Sequence, residues 1–508
     1  MLFQHPITTN SFNEWLRRDN ENKLLLRFSL AAMLVSFGWL KVLYPYPNFI
    51  PPDSYNYLEA AVRNDFISIW PIGYSRFLRL VSCISSSHFV LVMVQYLLLM
   101  SVVLYFLFTI RYLLSPGKWL FRILLIISIG NPLLPHISNF VSSDSLFATL
   151  SLVWFTQLLW IQSQPNLKLL LWHAVVLLLA FTVRYTAVWY PLLSITIIIF
   201  TSMSPKSKKI SIAAIAVLLL LLIARTQYEY KIKTDTAQYA AFGGWQLAAN
   251  ALYAYAYAKP MDTINGVQQF GLLHKIVNQH FDSLRRIGKN PKIEIGVYYM
   301  WDFSSPLRTF MNEKWLTNKA TPFFTQWASV GPLYRKYGWY LINNYPRLFI
   351  KHYCWPNLVR FYAPPAYFME KYNLGNTNVE PIAATWFDWK SNVLPIPATG
   401  ININIISIFP NLLAIINPLF LISSLLFSTA GGFSQCSCKK LIACLLLFWF
   451  GNLIFSVFSA PIELRYQIFP VIVTIPFLGM FLTASMQTLL TRSAIEVNEP
   501  ISKAKIST

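Results

Sequence analysis

Residues 24–57 read LLLRFSLAAMLVSFGWLKVLY and then PYPNFIPPDSYNY, and the change between the two halves decides the fold. The first half, Leu24 to Tyr44, is an apolar run of the length that crosses a bilayer as a helix, roughly 17–25 residues. The second half turns polar, with Pro51-Pro52 breaking the chain and Asp53 following. A cleaved leader needs small residues behind its apolar region. Here Lys41-Val42-Leu43-Tyr44-Pro45 stands instead, so the run is expected to remain as an anchor.

The pattern recurs along the chain. Apolar runs lie near 88–110, 118–136, 145–162, 167–183, 186–203, 209–227, 402–430, 441–460 and 466–490, so about ten helices are predicted. Of the 508 residues 55% are hydrophobic and only 12% charged, where soluble domains carry roughly a quarter. Mean hydropathy is +0.46. These values imply an all-α polytopic membrane protein. The formal charge of +21 is spread between apolar runs and forms no single stripe, which disfavours a nucleic-acid surface.

The basic residues also give an orientation. Arg17, Arg18 and Lys23 precede the first run, Arg111 and Lys118 separate the second and third, and Lys168 the fourth and fifth. Lys206, Lys208, Lys209, Lys439, Lys440 and Arg492 fall on the same side when every run crosses. By the positive-inside rule both termini are cytoplasmic. The other face receives 45–87, 137–144, 184–185, 228–401 and 461–465. The fourth of these is too long for a loop and must be a domain. The expected division is an N-terminal transmembrane module over 1–230, a mainly helical extracytoplasmic domain over 231–400, C-terminal transmembrane helices over 401–492 and a disordered cytoplasmic tail over 493–508. Ser54 to Asn64 is expected to be helical, and Gly331 to Tyr353, mixing aromatic, basic and aliphatic residues, to form helices lying on the membrane surface. Cys83 and Cys354 would share the outer face, where pairing is open. Cys436 and Cys438 without further ligands make a poor metal site.

Four polar stretches fall on the outer face: Pro51 to Tyr57, Ser142 to Ser145, Arg184-Tyr185 and Pro461 to Tyr466. Lone charges at a membrane boundary are costly and tend to mark function. Asp53 reads either as a helix N-cap or as a general base, and Asp144 as an N-cap or as a second carboxylate for an acceptor group or divalent ion. Arg184 either snorkels into headgroups or turns inward to hold a phosphate. Arg465 allows the same two readings, and a surface ion pair with Glu463 is a third. A carboxylate to activate a hydroxyl, with arginines for a departing phosphate, suits transfer of a sugar from a lipid phosphate.

The order of motifs resembles a family. Pro52-Asp53-Ser54-x-x-Tyr57-Leu58-x-x-Ala61 follows the first run, then Trp70-Pro71-x-Gly73-Tyr74, then Ser143-Asp144-Ser145-Leu146-Phe147. Val183-Arg184-Tyr185 and Glu463-x-Arg465-Tyr466-x-x-x-x-Pro470 come later. This is similar to the integral-membrane glycosyltransferases of GT-C fold, in the branch of protein O-mannosyltransferases and aminoarabinose transferases. The resemblance covers roughly 24–230 and 400–490 and departs from the family in having Tyr185 where members usually show Pro after the arginine. It implies that Asp53 is the catalytic carboxylate, Asp144 its acidic partner before the fourth span, and Arg184 and Arg465 contacts of the donor phosphate. Tyr57, Tyr74, Glu463 and Tyr466 are the candidate contacts for acceptor or sugar. The implied partners are a polyprenyl-phosphate-linked sugar, a lipid, glycan or protein acceptor, and membrane lipids; a divalent cation is the one cofactor left open, with no metal-ligating residues assigned. The setting expected is a bacterial inner membrane, in keeping with the absence of any Asn-x-Ser/Thr sequon. Rival readings are a flippase or transporter of lipid-linked sugar, which tends to show internal repeats that this chain lacks, and a surface-polysaccharide polymerase or ligase.

Overall fold

The computed structural model describes residues 11–258, 270–288, 295–318, 320–395 and 403–498. Every regular element among them is helical. All ten predicted apolar runs are helices, and eight are long and apolar enough to cross a membrane: Asn20–Leu43, His88–Leu114, Lys118–Ser138, Ser143–Ser163, Pro205–Thr234, Asn404–Thr429, Lys439–Ser459 and Ile468–Gln487. The coarse assignment is therefore a multi-pass membrane protein. The other two, Leu167–Val183 and Tyr185–Ile199, are shorter apolar helices that meet at Arg184.

Local chemistry sets these boundaries. Ser142, Asn166 and Ser204 cap the helices that follow them, each accepting a hydrogen bond from an amide of the first turn. The Lys118–Ser138 segment breaks after Ile129, at Gly130-Asn131-Pro132. A buried polar lock ties the short pair to its neighbour. His173 shares hydrogen bonds with Gln157 (3.0 Å) and Ser194 (2.9 Å), and the Trp154 indole donates to the same Ser194 hydroxyl at 2.9 Å. Among apolar helices such polar contacts favour association.

The two ends of the bundle differ in chemistry. At one end Glu21 accepts from Arg111 and Arg122, each at 3.0 Å. Just before the first span, Ser11 and Glu14 form a capping box on a short helix, Phe12–Arg18, whose Phe12 and Trp15 pack on Tyr112 and Trp160. The opposite end carries Asp53, Asp144, Arg184 and Arg465. At the C-terminus the last helix continues to Asn498, past the predicted start of a disordered tail at 493. Residues 499–508 of that tail lie outside the described residues.

Above the second end sits the domain built from residues after Thr234. Its central pair, Ala241–Tyr255 and Gly331–Asn344, packs backbone to backbone: a Cβ on Gly244 would lie 2.0 Å from the Gly331 carbonyl oxygen. One face of Gly331 to Asn344, within the stretch expected to lie on the membrane surface, is packed into this domain, while Trp339 on the same helix is exposed. Its Gly331, Tyr334, Tyr337, Gly338 and Leu341 are buried in the domain core. The loop residue Trp70 joins this domain through a ladder of near-parallel indoles, Trp70 on Trp301 (5.5 Å), Trp301 on Trp327 (6.1 Å) and Trp327 on Trp245 (5.3 Å). Cys83 and Cys354 are both free thiols.

Candidate functional site

The site is assembled by backbone pairing of distant loops. Asn48 donates its amide to the Asn139 carbonyl at 2.8 Å and accepts from Val141 at 2.9 Å, which sets Pro51 to Asp53 beside Ser142 to Ser145. From the other side, the buried Asn357 carboxamide donates to the Val457 and Ala460 carbonyls and accepts from Ile462, all at 2.8 Å. That grip holds the loop leading to Glu463 and Arg465. Asn357 has no signal in the sequence beyond being a lone Asn between apolar residues. Asn357→Ala strips these bonds from a buried segment, for a cost of about 1–3 kcal/mol. The expected outcome is a lower melting temperature together with weaker binding of any ligand that contacts Arg465, measurable by thermal denaturation and titration.

The helix-cap readings of both aspartates give way. The Asp53–Val62 helix has Pro52 at its N-cap and no side-chain cap, and the preceding turn is held by the Ser54 hydroxyl, which accepts from the Ile50 amide at 2.8 Å. Asp53 is left to reach Arg465, whose Nη1 donates to its Oδ2 at 3.1 Å. Likewise Ser142 caps the Ser143–Ser163 helix and donates its hydroxyl to Asp144 at 2.9 Å. The Asp144 carboxylate accepts from Arg184 and lies 3.7 Å from Arg465 Nη1. Arg184 therefore turns inward instead of snorkelling. Nor is Glu463–Arg465 a surface pair: Glu463 accepts from Arg465 Nε at 2.8 Å with only 8% of its side chain exposed.

Tyr466 organises the two arginines. Its ring centroid is 4.7 Å from each guanidinium carbon, and its hydroxyl accepts from Arg465 Nη2 at 2.7 Å. Phe368, 5.1 Å from Arg465, closes another side of that guanidinium. Tyr57 is buried at the edge of the set and donates to the Ser143 hydroxyl at 3.0 Å. Tyr74 has a different place. It is fully buried, donates to Gln95 at 2.7 Å and stands edge-on under Tyr57, so it supports the wall without lining it.

These side chains border a cavity of about 360 Å³. One wall comes from apolar helices and includes Trp189, Tyr190, Phe455 and Phe469; another comes from the domain above and includes Phe242, Met300 and Trp301. Asp53 keeps 18% of its side chain exposed beside this space. Burial pushes its carboxyl above the ordinary value of 3.8, with Arg465 opposing and Asp144 adding to the rise. Burial pushes Glu463 up as well, against the pull of Arg465.

A divalent cation does not fit this set. Hard cations need several carboxylate or carbonyl oxygens free to coordinate. Asp53, Asp144 and Glu463 each already face a guanidinium, and among the described residues no three His, Cys, Asp or Glu side chains are grouped to hold a metal. The arrangement can hold a proton at Asp53 and an anion at the two arginines. No family model, curated protein or solved structure matches the chain.

Proposed function

We propose that this chain is a glycosyltransferase of GT-C type, moving a sugar from a polyprenyl-phosphate donor to an extracytoplasmic acceptor with inversion. One observation carries the reading. Arg465, a contact of the predicted general base Asp53 at 3.1 Å, also reaches Asp144, and all three line a cavity with an apolar wall. A base, a phosphate-binding cation and a surface suited to lipid chains thus share one space.

The chemistry follows from the contacts. An acceptor hydroxyl beside Asp53 gives up its proton to the carboxylate while its oxygen attacks the anomeric carbon. The bond from that carbon to the phosphate oxygen breaks, and the electron pair stays with the phosphate. Protonation removes the charge that held Arg465 to Asp53. The guanidinium is then released toward the leaving phosphate as negative charge grows there. Arg184, anchored by Asp144 and stacked on Tyr466, supplies the second cation. The extracytoplasmic setting rests on the positive-inside count, with the site at the end opposite Glu21, Arg111 and Arg122.

The test is product analysis with purified protein, radiolabelled polyprenyl-phosphate sugars and a membrane extract as acceptor. Transfer with an inverted anomeric centre by NMR is expected. Retention of configuration, or no transfer from any such donor, contradicts the reading.

A further inference from the structure

The ionised cluster is out of balance. Three carboxylates, Asp53, Asp144 and Glu463, face two guanidiniums, Arg184 and Arg465, which leaves one negative charge in excess before any ligand arrives. A phosphodiester brings another negative charge into the same partly dry space. Excess charge away from water is expensive unless it is neutralised. Among the described residues no ligand set for a metal ion is grouped here, so a proton is the counter-charge considered.

The three carboxylates are not equivalent hosts for it. Asp144 is already engaged by Arg184, the Ser142 hydroxyl and, at 3.7 Å, Arg465. Asp53 has one donor from Arg465 and an 18% exposed side chain that water can reach. Glu463 has one charged donor, Arg465 Nε, and is 8% exposed. The charged groups facing it are Arg465 on its own loop, Asp53 from the first-loop helix and Asp144 from the start of the Ser143–Ser163 helix, with Arg184 beyond the Tyr466 ring. Burial and both aspartates favour its neutral form, and Arg465 alone opposes it.

We infer that Glu463 enters the donor complex as the neutral acid, so that binding of the lipid phosphodiester takes up one proton from solvent. This rests on the donor reading above and adds a regulation to it: the same site needs Asp53 ionised and Glu463 protonated. Raising the pH should then weaken donor binding, and lowering it should silence the base.

The experiment uses the full-length protein in nanodiscs and a synthetic polyprenyl methyl phosphodiester, whose single charge is fixed across the pH range. Calorimetric titration in two buffers of different ionisation enthalpy should report uptake of about one proton per ligand. Affinity should fall by up to about tenfold per pH unit on the alkaline side. Glu463→Gln, which keeps an acceptor for Arg465 Nε, should abolish both effects, and Asp53→Asn, which removes one of the three negative charges, should lessen proton uptake. Binding without proton uptake in the wild type overturns the inference and leaves the donor reading standing. Affinity that collapses with a chelator and returns with Mg²⁺ also overturns it. No binding of the probe at any pH removes the donor reading, and the inference with it.

Discussion

Asp53→Asn is expected to lower the rate of the proposed sugar transfer by about 10²–10⁴-fold, the usual contribution of a positioned general base. The amide has the shape of the carboxylate and its oxygen still accepts from Arg465 Nη1, so the loop and the cavity are retained. What is lost is a group able to take the acceptor proton. Donor affinity should stay near the wild-type value, so that the defect lies in kcat and not in KM. In the wild type the acidic limb of the kcat/KM profile should lie above 3.8, because burial raises the Asp53 carboxyl. Activity is present above that raised value and disappears as pH falls through it. Single-turnover rates from pH 4 to 8, at saturating donor for kcat and at low donor for kcat/KM, would check both points; an unimpaired Asp53→Asn protein would reduce Asp53 to a helix-terminal acid.

Arg465→Ala produces the largest combined loss. It removes a side chain that contacts Asp53, Glu463 and Asp144 together, leaving three carboxylates close to one another and two of them almost fully buried. Breaking a buried pair from one side costs about 3–5 kcal/mol. Transfer should fall by a further 10²–10³-fold, roughly the effect of removing a single stabilising donor from a developing anion. Arg465→Lys separates the two effects. A lysine keeps the charge but cannot use Nε, Nη1 and Nη2 on Glu463, Asp53 and Tyr466 at once. Its thermal stability should recover most of the way while transfer stays low. Equal recovery of stability and rate would mean that Arg465 serves the fold alone.

The spans were legible because their signal is long and physical: runs of twenty apolar residues have few alternatives to a membrane helix or a buried one. The meeting of the four polar stretches could also be anticipated, since alternating basic loops leave them on one face, and the structure brings Asp53, Asp144, Arg184 and Arg465 to one cavity. Details settled by competition between neighbours were not legible. Asp53 and Asp144 stand next to serines that cap or tie turns equally well, and Ser142 and Ser54 take that work. The packing partner of Gly331 to Asn344 was not legible either, because the periodicity of a helix lying on a membrane is also that of a helix packed on a domain core. Gly331 and Gly338, seven residues apart, were the clue to close approach of a second helix. Tyr74 could not be told from Tyr57 by sequence, and only the Gln95 side chain from the next span decides that its hydroxyl points into the protein.

The most direct test of the central claim follows transfer and translocation in the same sample. Protein reconstituted in vesicles with a radiolabelled polyprenyl-phosphate sugar and acceptor extract is assayed for labelled product, for free polyprenyl phosphate and for movement of the lipid-linked sugar between leaflets. A glycosyltransferase yields product and polyprenyl phosphate in equal amounts, and both vanish in Asp53→Asn. Movement of intact lipid-linked sugar across the bilayer with no product would contradict the account and make the charged cluster part of a transport path.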